Sequence, residues 1–244
     1  MRLPYKTLER KLLNDGYRHV IGVDEVGMAC LAGPVVVCAV LFTKQFFLSR
    51  KLTRLGREKV QRHPKLRWLR DSKQLLPHQR EKFFKELVAD KTIKYQLASC
   101  SPRIIDKINI YQAARQAMRR AVQRLGVRVQ RLVVSERKKS KILNPKRYTL
   151  NAIVLVDGKS KIAGLDMPQM AIIKGDRRVF AIACASIIAK VTRDRLIVRL
   201  AKKYPNYGLE KHKGYPTKLH KAMLLRHGIC EIHRKSFTPV AKLL

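Results

Sequence analysis

Acidic residues are scarce in this chain: 17 Asp and Glu stand against 54 Lys and Arg, a formal net charge of +37 over 244 residues. A globule this basic repels itself, so it needs an acidic partner, and nucleic acid is the usual one. Membrane headgroups are a weaker candidate, and a cell-wide basic bias is the plain alternative. Paired thiols are missing too. The five cysteines (Cys30, Cys38, Cys100, Cys184 and Cys230) are odd in number, include no C-x-x-C, and sit mostly in apolar stretches. They point to neither a disulfide framework nor a zinc site. No apolar run is long. The longest, Met28 to Phe42, holds Gly33 and Pro34 and is too short to cross a bilayer as a helix. Arg2, Lys6, Glu9, Arg10 and Lys11 crowd the start without the apolar stretch of a signal peptide. The expectation is a soluble, cytoplasmic monomer without membrane contact.

A hydrophobic fraction of 46% supports a normal core and argues against disorder. No internal repeat or low-complexity linker divides the chain. Residues 4–15 read as a helix stopped by Gly16, then His19 to Asp24 and Pro34 to Phe42 as buried strands. Residues 44–70 form a basic excursion, read as helical, with nine Lys/Arg and one acid between Arg50 and Arg70. A helix over 74–90 and a strand from Ile93 to Ser99 follow. The next helix is capped by Ser101 with Pro102 at its first position, and stops at Gly126. A second basic stretch runs from Arg128 to Arg147. Strands are expected at Asn151 to Val156 and Met170 to Ile173. A long helix from Phe180 to Lys203 has a first half rich in Ala, Cys and Ser, which lets its backbone sit close to a sheet. Thr217 caps a last helix that ends near His227 and Gly228. The order gives one α/β domain over 1–244, with a helical C-terminal part over 200–244.

With so few acids, their placement is informative. Asp24 ends an apolar strand and Glu25 follows; Asp157 and Asp176 end two others. Singly, each can be a salt bridge, and Asp157-Gly158 can be a turn. Together they favour a shared site. Oxygen-only ligands select hard cations such as Mg²⁺ or Mn²⁺. Two such ions about 4 Å apart can hold an attacking water and a leaving oxygen for phosphodiester cleavage. Adjacent Asp24 and Glu25 face opposite sides of a regular strand. Both reach one site only if the strand bends or ends there, which Gly27 permits.

These residues resemble type 2 ribonuclease H, in its bacterial ribonuclease HII branch. The matching stretches include Ile21-Gly-Val-Asp-Glu-Val-Gly27, Asp71-Ser-Lys73, Asn109-Ile110, Asp157-Gly158 and Lys174-Gly-Asp176. Others are Ala185 to Asp194, Tyr204 to Gly208, His212-Lys-Gly-Tyr-Pro-Thr217 and His233-Arg-Lys-Ser-Phe237. They come in the family's order and cover about residues 5–240, outside the two basic stretches. The resemblance implies an RNase H-like fold: a mixed five-stranded sheet flanked by helices. It implies cleavage of the RNA strand of RNA–DNA hybrids, or of duplex DNA carrying ribonucleotides, to 3′-hydroxyl and 5′-phosphate ends. The cofactor it implies is Mg²⁺ or Mn²⁺ in a two-metal site.

By motif, the catalytic and metal-holding carboxylates are Asp24, Glu25, Asp157 and Asp176. Tyr215 matches the tyrosine that stacks on the sugar beside the scissile junction, while Lys73, Ser186 and Lys190 line the nucleic-acid cleft. One departure stands out. The family has Gly-Arg-Gly in a loop that senses the ribose 2′-hydroxyl; here it reads Gly27-Met28-Ala29. Methionine cannot donate to phosphate as arginine does. Chemistry is expected to survive and reading of a single ribonucleotide to suffer. A non-catalytic basic binder on the same fold, and a nuclease of the same superfold acting on DNA junctions, are the alternatives. Asp194 is expected to pair with a cation, and His212, His220 and His233 to pack. Trp68 reads as a satellite core residue. Gln79 to Phe84 reads as a buried amphipathic helix rather than a clamp-binding peptide.

Overall fold

The computed structural model describes residues 4–48, 50–52, 58–60, 66, 69–138 and 150–244. Residues 53–57, 61–65 and 67–68 of the first basic stretch, with Trp68, and 139–147 of the second lie outside the described residues. Strands β1 (His19–Val26), β2 (Val35–Thr43), β5 (Lys94–Cys100), β6 (Ala152–Asp157) and β7 (Gln169–Ile172) form a five-stranded sheet in the order β5-β2-β1-β6-β7. The pairs β1·β2 and β2·β5 are antiparallel, while β1·β6 and β6·β7 are parallel. This is the expected mixed sheet. Strands β3 (Arg50–Leu52) and β4 (Glu58–Val60) pair in a separate ribbon. Helix α2 covers Lys44–Leu48, where the helical reading of the basic excursion holds; Arg50–Leu52 and Glu58–Val60 are strands instead.

Alternation along β1 sends Val20 and Val26 to one face and Ile21 and Val23 to the other. The first face is covered by α1 (Thr7–Asn14), α3 (Pro77–Ala89) and α7 (Phe180–Lys203), the second by α4 (Pro102–Ile108) and α5 (Ile110–Lys138). The small residues of α7 do what their size suggests. A Cβ on Gly22 of β1 would lie 2.2 Å from the Ala181 carbonyl carbon, so helix and strand meet backbone to backbone.

The α4–α5 region differs from expectation. Asn109 breaks it with φ 64°, and its side chain accepts from the Gln112 amide at 3.0 Å, opening α5. Gly126 does not stop α5. Leu125 and Val129 on either side are buried against the sheet, and that burial outweighs the roughly 1 kcal/mol cost of a helical glycine. Ser101 holds the cap position of α4 without a side-chain capping bond. The C-terminal part contains α8 (Leu209–His212), α9 (Lys218–His227) and α10 (Thr238–Ala241), so the helix capped by Thr217 is not the last. Among the described residues, no helix is long and apolar enough to cross a membrane.

Glu9 of α1 ties the N-terminus of α7 in place: its Oε1 accepts the Ala181 amide at 2.9 Å, in a fully buried setting. Burial pushes its carboxyl up to about 7, against the pull of that amide and of Lys6. A raised folded pKa means the contribution of Glu9 is full below about 4.5 and is lost as pH rises through about 7. We expect Glu9→Gln to flatten this part of the stability–pH curve. Glu9→Ala, which leaves a buried amide unpaired, should cost about 1–3 kcal/mol. Denaturant unfolding from pH 4.5 to 8 checks both.

Candidate active site

The parallel register of β1 and β6 sets Val23 beside Val156, so Asp24 and Asp157 follow at the same level on neighbouring strands. Both lie on the α7 face of the sheet. Asp24 is buried, its charge is favoured by the Ser186 hydroxyl of α7, and its Oδ1 accepts the Glu25 amide at 2.8 Å. Asp157 Oδ1 accepts the Gly175 amide at 2.7 Å. Asp176 is not at a strand end as expected. Strand β7 stops at Ile172, and Asp176 lies in the short helix α6 (Gly175–Arg178). The turn before it is held by Lys174 in the left-handed region at φ 54°. Glu25 is on the opposite, α5 face, where the Arg115 charge acts on it, and its Oε2 is buried without a hydrogen-bond partner. The strand neither bends nor stops between Asp24 and Glu25; it runs on to Val26. The Asp157 charge nevertheless acts on both, which places them near one another around the end of the sheet.

The electrostatics are those of crowded anions. Burial first, then Glu25, Asp157 and Asp176, push the Asp24 carboxyl well above the usual carboxylate range. Burial and Asp157 lift Glu25 to about 7, with Arg115 and Lys73 pulling back. Burial, Asp71 and Asp157 raise Asp176. Lys73 Nζ stands 3.6 Å from Asp176 Oδ2, with 74% of its own side chain exposed. Burial works against its charge, but four carboxylates together raise its pKa.

Among the described residues, no three Asp, Glu, His or Cys side chains already form a cation site. Mutual repulsion of unneutralised carboxylates opposes such convergence. The donors nevertheless suit a hard divalent cation. They are all oxygen, neighbouring carboxylates add to burial in raising Asp24 and Glu25, and one donor is an orphaned buried atom.

The remaining expected residues spread around this centre. Ser186 is buried and shares a 2.9 Å hydrogen bond with Ser72. Lys190 is half-buried, paired to Asp194 at 2.8 Å, and lies 5.3 Å from the Tyr215 ring centroid. The ion-pair reading of Asp194 therefore holds. Burial, then Cys30, pushes the Tyr215 phenol up to about 12, so it stays neutral. Gly27 and Met28 lie in the turn after β1, with Met28 half-buried and Ala29 exposed. In α3, Phe83 is buried and Phe84 packs under Arg195, as a buried amphipathic helix requires.

Sequence reading missed Asp71. It is 1% exposed, binds Arg177 Nε at 3.1 Å and accepts the Lys73 amide at 2.9 Å. It thereby sets the backbone from which Lys73 reaches Asp176. Its signal was its rarity: one of 17 acids, beside a lysine and a serine. Arg115 carried no such mark.

The three histidines pack together: His212 stacks on His220, and His220 and His233 form a proton-ordered chain. The Cys230 amide donates to His233 Nδ1 at 3.0 Å, so His233 Nε2–H faces His220 Nε2 at 3.2 Å, and His220 Nδ1 donates to the Tyr215 carbonyl at 3.0 Å. This order requires both rings neutral. Burial lowers each to about 4. A lowered folded pKa gives stability that is full above about 6.5 and is lost as pH falls through about 4. We expect unfolding midpoints to fall across that window, and His233→Asn to flatten the fall relative to the parent protein.

This mixed five-stranded sheet, with acidic side chains at the ends of neighbouring strands in a chain of net charge +37, is the arrangement of a nuclease of the RNase H-like fold. The family model for Ribonuclease HII matches residues 21–240, and the chain belongs to that family. It is 42% identical to the Ribonuclease HII of Caldicellulosiruptor bescii over 233 residues, covering 96% of this chain and 93% of the relative. Its fold is similar to the ribonuclease H2 of Pyrococcus horikoshii OT3, with TM-score 0.61 and 24% identity over 92% of this chain and 96% of that one. Bst-RNase HIII in complex with Mn²⁺ is similar at TM-score 0.59 and 15% identity, over 93% and 70%. The protein is thus a type 2 ribonuclease H, an endoribonuclease of RNA–DNA hybrids.

Proposed function

We propose that one catalytic domain over 1–244 hydrolyses the RNA strand of hybrids to 3′-hydroxyl and 5′-phosphate ends. Asp24, Glu25, Asp157 and Asp176 are its catalytic and metal-holding groups. The observation that carries this is the parallel register that sets Asp24 and Asp157 at one level on neighbouring strands, with Asp157 held by the Gly175 amide next to Asp176, in a chain of net charge +37. A pure binder of phosphate gains nothing from gathering anions at one sheet edge.

Either Mg²⁺ or Mn²⁺ meets an oxygen-only donor set, and when bound supplies charge neutralisation and an activated water. The chain does the rest. The Gly175 amide fixes the Asp157 carboxylate, and Ser186 fixes that of Asp24. Exposed Lys73, anchored through Asp71, offers its ammonium to the phosphate beside Asp176. The neutral Tyr215 ring, backed by Lys190 and Arg193, stacks on the sugar. The Gly27-Met28-Ala29 loop lies against the ribose.

Matched duplexes carrying one, four or many ribonucleotides, incubated with Mg²⁺ and with Mn²⁺, test this reading. Cutting of the RNA-rich duplexes to 5′-phosphate ends is expected. Tight binding without cutting in either metal would favour the non-catalytic alternative.

A further inference from the structure

Two arginines are fully buried without an ion pair among the described residues. Arg193, on α7, donates from Nε to the Pro34 carbonyl at 3.0 Å, from Nη2 to Ala32 at 3.0 Å, and from Nη1 to Lys213 at 2.9 Å. Arg234 donates from Nε to Gly33 and from Nη1 to Met28, both at 3.0 Å, while its Nη2 is buried without a partner. Burying a guanidinium without a counter-charge is costly, and an apolar side chain could fill such a space. What these two cations gain is five backbone carbonyls. All five belong to two segments, residues 28–34 and the residue 213 turn that leads into Tyr215.

The glycines of both segments make room for this arrangement. A Cβ on Gly27 would lie 2.4 Å from Arg193 Nε, and one on Gly214 would lie 2.7 Å from the Ala32 carbonyl oxygen. Both glycines have positive φ, +102° and +81°. Backbone bonds close the unit: the Leu31 amide reaches the Gly214 carbonyl at 2.8 Å, and the Arg234 amide reaches that of Leu31 at 2.8 Å. Arg193 also lies 5.9 Å from the centre of the Tyr215 ring.

We propose that Arg193 and Arg234 are positioning residues: a buried cationic staple that locks the Gly27-Met28-Ala29 loop to the Tyr215 turn, and so fixes which phosphodiester beside an RNA-to-DNA junction is cut. This rests on the role given above to that loop and to Tyr215. The staple holds main chain, so it keeps its geometry although residue 28 carries no cation. A lysine at either position keeps the charge but loses the planar fork that spans separate carbonyls.

The test uses Arg193→Lys and Arg234→Lys in the full chain, with Mn²⁺, on two duplexes. One has four ribonucleotides followed by DNA in the same strand; the other is a uniform RNA–DNA hybrid. Thermal unfolding is followed in parallel. On the junction duplex, kcat at the bond the parent protein prefers should fall about ten-fold or more, about 1.4 kcal/mol, with KM little changed. Cuts should spread to neighbouring ribonucleotides, and the uniform hybrid should lose distinctly less. Folded variants that keep the parental cut pattern, or lose equally on both duplexes, overturn the proposal.

Native-state hydrogen exchange on the parent protein needs no variant. The amides of Leu31, Gly33 and Arg234 should open as one unit, with protection alike within about ten-fold. Leu31 exchanging much faster than Arg234 would overturn the staple even if neither lysine variant folds. A parent protein that cuts neither duplex would overturn the nuclease reading instead, and exchange would still decide the staple.

Discussion

Asp24→Asn and Asp157→Asn are each expected to lower kcat by at least about 10³-fold while leaving the protein folded. Each removes a charge where a cation must be held, and losing several kcal/mol of transition-state stabilisation has that size. The folds should survive because an amide keeps the key acceptor oxygen. In Asp24→Asn, Oδ1 still takes the Glu25 amide; in Asp157→Asn, it still takes the Gly175 amide. Asp24→Asn should also unfold at a higher temperature than the parent protein in chelator at pH 8. Burial and three neighbouring carboxylates raise the Asp24 pKa, so its contribution to stability is full below the ordinary carboxylate range and is lost as pH rises. Asparagine does not ionise, and the gap between the two proteins should widen with pH. Hybrid binding without metal should persist or tighten. Near-parental turnover by either variant would remove its carboxylate from the active site.

The second large effect concerns substrate choice. The chain should cut RNA stretches in hybrids better than a single ribonucleotide in duplex DNA, because Met28 cannot make the charge-assisted contact an arginine makes. Such a contact is worth about 1.5–3 kcal/mol, roughly ten- to more than a hundred-fold. Restoring Met28→Arg with Ala29→Gly should raise single-ribonucleotide cleavage by that factor relative to hybrid cleavage. The loop can take the change: the Met28 carbonyl is held by Arg234, and Ala29 is exposed. The ratio of kcat/KM on the two substrates, in both proteins, is the measurement. A parent protein that already prefers the single ribonucleotide, with a ratio unmoved by the double change, would count decisively against a role for residue 28.

Much of the fold was legible because its strongest elements advertise themselves locally. The apolar runs of β1 and β2 and the small-residue face of α7 fall where pattern puts them. The misreadings have local causes as well. Gly126 reads as a stop, yet nothing lies within 4 Å of where its Cβ would be, and its neighbours are held by the sheet. Asn109 reads as ordinary helix, yet it turns to φ 64° and caps the next helix with its own side chain. Asp176 reads as the end of a strand, yet β7 stops at Ile172 and the chain turns at Ile173 and Lys174 straight into the helical turn that carries Asp176.

The sequence by itself determined the charge, the order of buried strands and helices, and the four carboxylates at or just past strand ends. These follow from composition and from periods of two and 3.6 residues, which are local properties of a chain. Only the tertiary structure decided how those groups meet. It put Asp24 and Glu25 on opposite faces of β1 yet both under the influence of Asp157. It brought Asp71 against Arg177, 106 residues away, and Arg234 against the carbonyl of Met28, 206 residues away. Partners that distant are chosen by strand register and crossover, and by the need of a buried guanidinium for any carbonyl within reach. No side-chain pattern encodes which backbone carbonyl that is, because every residue carries one.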